Sequence, residues 1–324
     1  MKAVVVRYLR PGEETSEATR SLYEECLSSI FQSIEFNRIV QEVFATELRF
    51  LVAEREGELI GICPSHLVRD NWLLSTMHSG PRMFEVPYGG WVLKDRALEL
   101  SLARLLPTMF RQKVLYWSLP VVNADAWSPG PDTTKFQTLV IDLLKDNEEI
   151  FLQSIHGKRR NMIRKAERSG VEILDGSTNE VDLFYDVLLK QTNERTGILL
   201  HPKGYYRKVL EKYSGCGMAK LFMAKNRNRI LAANLIVANK WFAHYWIGAK
   251  AENVENLGQG ELLQWHAIQW AKRQGIRYYD LCGYEPDRLP RIAEFKSDFS
   301  RTIVPFYLVS RRSIGYRIAY RLTQ

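Results

Sequence analysis

The chain has 324 residues, of which 46% are hydrophobic and 25% are charged. This composition is ordinary for a soluble globular protein, and the length allows two domains. No apolar run approaches the roughly 20 residues that a membrane-spanning helix needs, and the N-terminus lacks the apolar core and cleavage site of a signal peptide. We therefore expect neither a membrane-spanning nor a secreted protein, but a cytoplasmic one.

The predicted elements alternate between helices and strands along the whole chain. In the first half, helical periodicity covers residues 16–44, a hairpin covers 49–55 and 59–68, short strands follow at 73–77 and 87–93, a helix at 95–111, a strand at 114–119 and a Pro- and Gly-rich linker at 123–135. In the second half, strands are predicted at 136–141, 171–174, 218–225, 229–238, 241–249 and 277–281, and helices at 147–169, 181–196, 203–213 and 260–274. Both halves thus have the order helix, antiparallel strands, helix, strand. This order predicts an α/β (α+β) fold with domains at 1–135 and 136–324.

The net charge is concentrated in the second predicted domain. Residues 1–135 carry a net charge of −2, whereas residues 136–324 carry +10. A one-sided field of this kind attracts anionic partners, such as phosphate-bearing substrates, tRNA or an anionic membrane surface. The basic tail, with Arg311, Arg312 and Arg317 among apolar residues, indicates peripheral contact with the inner membrane face, and a docked C-terminal helix is the alternative. A solvated basic face with no partner also explains the charge.

Cysteine and histidine spacing gives no support for a metal site. The four cysteines, Cys26, Cys63, Cys216 and Cys282, form no CxxC pair, and the six histidines are dispersed. Reduced, mostly buried thiols are therefore expected, with no metal ion.

A glycine-containing turn precedes the helix predicted at 260–274. Gly258, Gln259 and Gly260 would expose backbone N–H groups beside the positive end of the helix dipole, an arrangement that binds phosphate oxygens. A plain loop before a helix has the same pattern. Acidic Glu255 stands where the coenzyme A fingerprint has an amide or a cation, which disfavours coenzyme A.

Two charged residues are candidate catalytic groups, one at the end of the last predicted strand and one after the loop that follows it. Asp280 ends an apolar strand, where ligand crevices form in α/β sheets, so it is a candidate general base or amine-orienting group. Capping of neighbouring N–H groups is the structural alternative. Lys296 follows Phe295 after a loop, and a cation directed into a cleft can stabilise an oxyanion in acyl transfer.

A basic helix and several aromatic residues complete the candidate site. Arg160 and Arg164 fall four residues apart on one helix face, and such a stripe can neutralise phosphates of tRNA. Exposed basic helices without nucleic acid are also common. The aromatic residues Tyr245 and Trp246 line either the core or a cleft, and together with Phe295 they are candidate substrate-binding residues.

The second half resembles the FemABX family, whose members have two tandem GNAT-type domains. The matching residues are Trp270-Ala271 with Gly275, Tyr279-Asp280-Leu281-Cys282-Gly283, and Phe295-Lys296-Ser297-Asp298-Phe299, with Ser300 replacing the family's last glycine. In the first half, Tyr88-Gly89-Gly90 is the one suggestive match, and by this resemblance Tyr88 is a candidate substrate-binding residue. The resemblance implies transfer of an amino acid from aminoacyl-tRNA to an amine on a peptidoglycan precursor, in a cleft between the domains. It also implies that Lys296 stabilises the tetrahedral intermediate and that no covalent enzyme intermediate forms.

The leading hypothesis is therefore a FemABX-type acyl- or aminoacyltransferase acting on a small-molecule or lipid-linked amine. The long helical arm of some family members has no counterpart here, so cell-wall synthesis does not follow. A GNAT-type N-acyltransferase that uses acyl-CoA is the alternative, and a non-catalytic protein that binds tRNA or anionic surfaces is the second alternative. We expect no tightly bound cofactor and no DNA partner, with aminoacyl-tRNA or acyl-CoA as co-substrate.

Overall fold

The computed structural model describes residues 3–69, 75–99, 101–102, 116–121, 133–197 and 200–312. It divides the chain into two compact units, Met1–Phe136 with Pro305–Gln324, and Gln137–Val304. Most of the predicted linker, most of the helix predicted at 95–111 and the basic tail beyond Arg312 lie outside the described residues. No helix among the described residues is long and apolar enough to cross a membrane.

The first unit contains a mostly antiparallel sheet with helices packed on it. Its longer elements are β1 (Val4–Tyr8), α1 (Glu17–Cys26), α2 (Ile34–Phe44), β2 (Glu47–Arg55), β3 (Glu58–Arg69), β4 (Ser75–His78), β5 (Val92–Leu93) and β6 (Tyr116–Val121). Short 3₁₀ turns lie at Glu13–Thr15, Ile30–Gln32, Arg82–Phe84 and Arg96–Leu98. The serines that precede α1 and α2 cap them, because Ser16 accepts a hydrogen bond from the Thr19 N–H and Ser33 from the Phe36 N–H.

The strand order of the first sheet is β1-β2-β3-β4-β6-β13, where β13 is Ile303–Arg312 and β5 pairs with β3. Pairing is antiparallel throughout except between β4 and β6, which are parallel. Alternating side chains of β2 pack on opposite faces: Leu51 and Ala53 join one core cluster, and Val52 joins another with Leu22 of α1. Both faces of this sheet are therefore buried.

The second unit repeats this architecture with a larger set of helices. Its strands are β7 (Thr133–Asp142), β8 (Val171–Gly176), β9 (Ala219–Asn226), β10 (Arg229–Ala238), β11 (Phe242–Lys250) and β12 (Tyr278–Asp280). Its helices are α3 (Gly157–Arg168), α4 (Lys203–Tyr213), α5 (Gln259–Arg273) and α6 (Pro290–Ser297), with short helical segments at Asn147–Glu149, Ile150–Ser154 and Thr178–Glu180 and a helical run through Val181–Leu183, Phe184–Leu189 and Lys190–Thr196.

The strand order of the second sheet is β7-β12-β11-β10-β9-β8. Here too a single parallel pair, β11 with β12, lies among antiparallel pairs. Helices α3 and α5 pack on the sheet through a core that includes Ile163, Leu263 and Tyr279. The predicted fold class, α/β (α+β) with two units whose mixed, mostly antiparallel sheets are flanked by helices, is confirmed.

The predicted domain division at residues 135 and 136 stays a prediction. In the structure, the described residues after Val304 lie in the first unit, because Tyr307–Arg312 of β13 pairs with Tyr116–Val121 of β6.

Candidate active site in the second unit

Strands β11 and β12 run side by side for only a short distance. Phe242–His244 pairs in parallel with Tyr278–Asp280, and the chain after Asp280 then stays with β7 through hydrogen bonds from Leu281 N to Leu139 O (2.9 Å) and from Tyr284 N to Gln137 O (2.7 Å). A register shift between β10 and β11 at Leu235/Ile236 adds a bulge at Trp246. Because a bulge bends its strand, we infer that β11, which continues to Lys250, separates from the chain after Asp280. The unpaired stretch beyond the carboxyl end of β12 is called the β11–β12 gap below.

The amino group of Lys296 lies at this gap. Helix α6 carries the lysine, whose Nζ donates to the backbone oxygens of Cys282 and of Gly283 (2.9 Å for the latter) and lies 5.8 Å from the centre of the Tyr245 ring. An ammonium has three donors, and among the described residues the third has no acceptor. Burial lowers the pKa of Lys296, and this effect outweighs the acidic neighbours that raise it.

The carbonyls that hold Lys296 belong to an unusual turn. Cys282 and Gly283 have φ values of 48° and 55°, in the left-handed region that favours glycine. Asp280 braces the turn, since its Oδ1 accepts hydrogen bonds from the Cys282 N–H (2.9 Å) and from Thr138 Oγ1 (2.5 Å). Asp280 is 2% exposed and its Oδ2 contacts His244 Nδ1 at 2.8 Å. These contacts give Asp280 a positioning role, and its predicted catalytic role stays a prediction.

The predicted aromatic residues of the second unit have different surroundings. Tyr245 is half-buried, and burial raises the pKa of its hydroxyl. Its hydroxyl group occupies the space where a Cβ of Gly248 would be. Trp246 is buried and packs edge-to-face on Tyr205 of α4, with ring centres 5.3 Å apart. Tyr245 therefore lies beside Lys296, whereas Trp246 belongs to the core.

The start of α5 combines close packing with unpaired N–H groups. Gly258 has a φ of 89°, and a Cβ there would overlap the Met162 carbonyl oxygen of α3. The Gln259 side chain is used within the turn, accepting from Leu257 N (2.9 Å) and donating to Glu255 O (3.1 Å). Among the described residues, the N–H groups of Gln259, Gly260 and Glu261 have no hydrogen-bond acceptor. The turn is thus able to bind an anion, although Gly258 is already explained by packing.

A buried ion-pair cluster connects this turn to the lysine-bearing helix. Arg159 of α3 binds Glu261 of α5 (2.8 Å) and Asp298, the residue after α6 (3.0 Å), and its guanidinium lies 5.0 Å from the Phe295 ring centre. Sequence reasoning singled out Arg160 and Arg164 and missed Arg159. The signal that could have found it is weak, because three basic residues are consecutive here and no periodicity shows which one faces inward.

The predicted basic residues lie at the surface of α3. Arg160 donates from Nη1 to the carbonyls of Leu152 and Ile155, both at 2.7 Å, and so caps the preceding helical segment. Arg164 is exposed, with its guanidinium 5.4 Å from the Phe151 ring centre. Of the two, Arg164 is the more accessible to phosphate, and tRNA contact stays a prediction for both.

Tyr88 lies in the first unit, where its ring packs against Phe31 (6.1 Å between ring centres) and Phe306 (5.3 Å). The adjacent Gly89 approaches the backbone of Ser79 and Gly80 so closely that a Cβ would overlap it. This close approach explains a glycine at position 89, and the substrate-binding role of Tyr88 stays a prediction.

A buried polar chain in the second unit was not predicted. Asn234 Nδ2 donates to Gln264 Oε1 (3.3 Å), and Gln264 Nε2 donates to the Tyr279 hydroxyl (2.9 Å), all inside the core. The available signal was a polar residue inside an apolar run in both β10 and α5. This network fixes Tyr279, the neighbour of Asp280, and so supports the end of β12.

The fold also brings together ligand-type side chains that are dispersed in the sequence. His244, Asp280 and Cys282 are buried, and one potential metal-ligand atom from each lies within 4.8 Å of the others. The expectation of no metal ion rested on the spacing of cysteines and histidines along the chain. That spacing does not show which residues strand pairing brings into contact.

Comparison with known proteins gives the fold a family context. Residues 157–297 match the sequence profile of the acetyltransferase (GNAT) domain. A crystal structure of FemX superimposes with a TM-score of 0.71 at 13% identity, covering 98% of this chain and 99% of that one. L-PGS from Bacillus licheniformis gives 0.55 at 13% identity, covering 97% and 98%, and a tandem GNAT protein from the clavulanic acid biosynthesis pathway gives 0.53 at 13% identity, covering 95% and 98%.

No curated protein matched the sequence significantly. The structural matches show the fold alone, and they confirm at that level the resemblance to the FemABX family. The profile match agrees with the predicted enzyme class, an acyltransferase. Residues 157–297 are therefore similar to the acetyltransferase (GNAT) domain, within a chain that has the fold of FemX.

Proposed function

We propose that this protein transfers an activated aminoacyl or acyl group to an amine on a small-molecule or lipid-linked acceptor. The observation that carries the proposal is the half-buried Lys296 ammonium, held by two carbonyls at the β11–β12 gap with one donor unused. A positive group fixed in this way is suited to a negative charge that develops during reaction, since it needs little reorganisation.

The chemistry follows from the requirements of acyl transfer. The acceptor amine attacks the carbonyl carbon of the donor, which moves the carbonyl electrons onto oxygen, and the third Lys296 donor stabilises that oxyanion. Collapse of the intermediate re-forms the carbonyl and expels the donor's leaving group, a tRNA hydroxyl or a thiolate. The amine loses one proton to solvent or to the leaving group, so the enzyme itself is unchanged.

For the donor, we favour aminoacyl-tRNA. The features that would mark a coenzyme A site at the start of α5 already have structural roles: Gly258 packs on α3, and the Gln259 amide is bonded within its own turn. In addition, Glu261 places a carboxylate in the first helical turn, where it opposes a pyrophosphate even though Arg159 partly neutralises it. The basic second half of the chain favours a large polyanion.

Acyl-CoA is the second candidate donor. It is supported by the three N–H groups at the start of α5 that lack acceptors, and by the acetyltransferase profile match over the same residues. A thermal-shift series distinguishes the two donors, because a ligand at a hundredfold excess over its Kd raises the free energy of unfolding by about 2.7 kcal/mol. A shift with acetyl-CoA or longer acyl-CoAs and none with charged tRNA would reverse our preference.

The Lys296→Met variant tests the assigned role of the lysine. It keeps the length of the side chain and removes the charge, so we expect transfer to fall by about a hundredfold or more, as when one oxyanion donor is lost. Transfer is measured with labelled aminoacyl-tRNA and with acyl-CoA against a panel of amines. Lys220→Met is the matched control, because Lys220 pairs with Asp175 at the surface of β9. Undiminished transfer by a folded Lys296→Met protein would reject the role.

A non-catalytic protein that binds tRNA or anionic surfaces predicts a different result. Its binding would weaken steeply with salt and would survive the Lys296→Met substitution, with no transfer by the unaltered protein to any acceptor. The same panel of donors therefore separates the three hypotheses.

A further inference from the structure

We propose that His244, Asp280 and Cys282 form a binding site for a zinc-type divalent cation. The three residues are adjacent in the sheet, since His244 of β11 is the register partner of Asp280 at the end of β12, and Cys282 follows two residues later. All are buried, with exposures of 2% for His244, 2% for Asp280 and 8% for Cys282. Their ligand atoms lie within 4.8 Å of one another without any help from a bound ion.

The distances suit a small tetrahedral ion. Asp280 Oδ2 is the shared corner, 2.8 Å from His244 Nδ1 and 3.5 Å from Cys282 Sγ. Around zinc, with bonds of about 2.0–2.3 Å, neighbouring ligand atoms are separated by about 3.3–3.7 Å. The histidine and the carboxylate would need to move apart by less than about 1 Å on these bond lengths, and the third pair of ligand atoms lies within 4.8 Å.

The second oxygen of the carboxylate is already held in place. Asp280 Oδ1 accepts hydrogen bonds from Thr138 Oγ1 and from the Cys282 N–H, which leaves Oδ2 facing the other two ligand atoms. The His244 ring is stacked on Phe242, with an interplanar angle of 7°. Outer contacts that orient each ligand in this way are typical of metal sites.

The chemical types of the ligands select the ion. Imidazole nitrogen with thiolate sulfur suits zinc and related transition metals, whereas magnesium and calcium require oxygen ligands. A thiolate and a carboxylate together balance the two positive charges of the ion. The nearby ammonium of Lys296 opposes any excess positive charge, so binding requires the cysteine in its thiolate form.

The backbone conformation at Cys282 indicates that its thiol has a functional role. At a φ of 48° a residue with a Cβ is strained, and glycine would adopt this conformation freely. Strain of this kind is concentrated at functional sites, and here it brings a sulfur atom to the carboxylate. The same argument supplies a variant that should fold, Cys282→Gly.

The test uses the full chain, freed of metal by a chelator, and does not depend on transfer activity. We expect one zinc per chain by equilibrium dialysis, a thiolate-to-cobalt charge-transfer band on titration with Co²⁺, and protection of Cys282 from alkylation by Zn²⁺. Cys282→Gly should abolish the band, and Thr138→Val should weaken zinc binding by about 10–100-fold through loss of an outer contact. Cys216→Ser, which removes an exposed thiol, should leave both unchanged.

The proposal is overturned if the unaltered protein shows no charge-transfer band, or if the band persists in Cys282→Gly. Alkylation of Cys282 at the same rate with and without Zn²⁺ would also overturn it, and this measurement needs no variant. Because no readout involves an acyl donor, failure of the metal site leaves the proposed transfer reaction intact, and the reverse also holds.

Discussion

At the scale of single residues, two glycines at the start of α5 have opposite surroundings. A Cβ at Gly258 would overlap the Met162 carbonyl oxygen and would be held at a φ of 89°, whereas a Cβ at Gly260 would meet no atom within 4 Å. We expect Gly258→Ala to lower the free energy of unfolding by at least the roughly 1–2 kcal/mol of left-handed strain, with the steric overlap added. Urea denaturation measures this difference.

Gly260→Ala is the matched control for that experiment. It should be neutral or raise the free energy of unfolding by up to about 1 kcal/mol, because alanine has less conformational freedom to lose in a helix. Equal stability of the two variants would show that Gly258 is not required for the packing of α5 on α3.

The sequence shows which residues are unusual more readily than it shows what they contact. It identified the glycines, Asp280 and Lys296, and the structure brings the last two to one turn. It did not identify the partners, because Met162 and Thr138 are distant in the sequence and carry no motif. Arg159 and Arg160 are adjacent residues of the same type, so the sequence alone does not distinguish them. Only the packing of α3 on α5 decides which one is buried.

At the scale of elements, Arg159 links the ends of three helices, α3, α5 and α6. Its guanidinium binds Glu261 and Asp298, and the side chains of the three are 12%, 7% and 19% exposed. We expect Arg159→Met to destabilise the protein by about 3–5 kcal/mol, because it leaves two largely buried carboxylates without their partner. The change is measured as a shift in the urea midpoint at constant slope.

Lys158→Met is the control, one residue away on the same helix. Lys158 pairs with Glu294 at the surface, where both side chains are 58% exposed, so its loss should cost no more than about 1 kcal/mol. A comparable loss of stability in both variants would mean that the Arg159 cluster contributes no more than a surface ion pair.

Elements with a strong local signal were predicted well. Helix α4 spans Lys203–Tyr213 as expected, and the β9–β10 hairpin turns at the predicted Asn226–Asn228 segment, between Asn226 and Arg229. The Glu294-Phe295-Lys296 segment was expected simply to follow a loop, but it lies in α6, which begins at Pro290. Proline fits the first helical turn because its missing N–H is not needed there, and this signal was available in the sequence.

At the scale of the whole molecule, each unit contains one parallel strand pair within an antiparallel sheet. In the second unit that pair carries the gap with Lys296, and in the first unit the corresponding pair is β4 with β6. Periodicity predicted the repeated order of helices and strands, but strand pairing depends on contacts between distant segments, which a single sequence does not report. The duplication was therefore visible in the sequence, and the position of the gap was not.

Two buried histidines make the stability of the first unit sensitive to acid. His66 of β3 and His78 of β4 are register partners, and burial lowers the pKa of His66 to about 3 and of His78 to about 4. Asn37 uses its amide N–H groups on the carbonyls of Phe31 and Ser33, so its oxygen accepts from His66 Nε2. These contacts fit the neutral imidazole of His66, whose Nδ1 accepts from a threonine.

The sign of the pH dependence follows from these pKa values. Below about pH 6.5 the unfolded chain binds a proton at each histidine, but the folded chain does not until the pH approaches 3–4, so the free energy of unfolding falls as the pH falls through this window. At pH 5 each histidine should cost about 2 kcal/mol relative to pH 8. His66→Gln should remove the contribution of one histidine, about half of the combined loss of about 4 kcal/mol. Hydrogen-exchange protection of β3, corrected for intrinsic exchange, measures it in the first unit, and the same strand of the unaltered chain serves as the control. An unchanged pH dependence of β3 in His66→Gln would contradict the assignment.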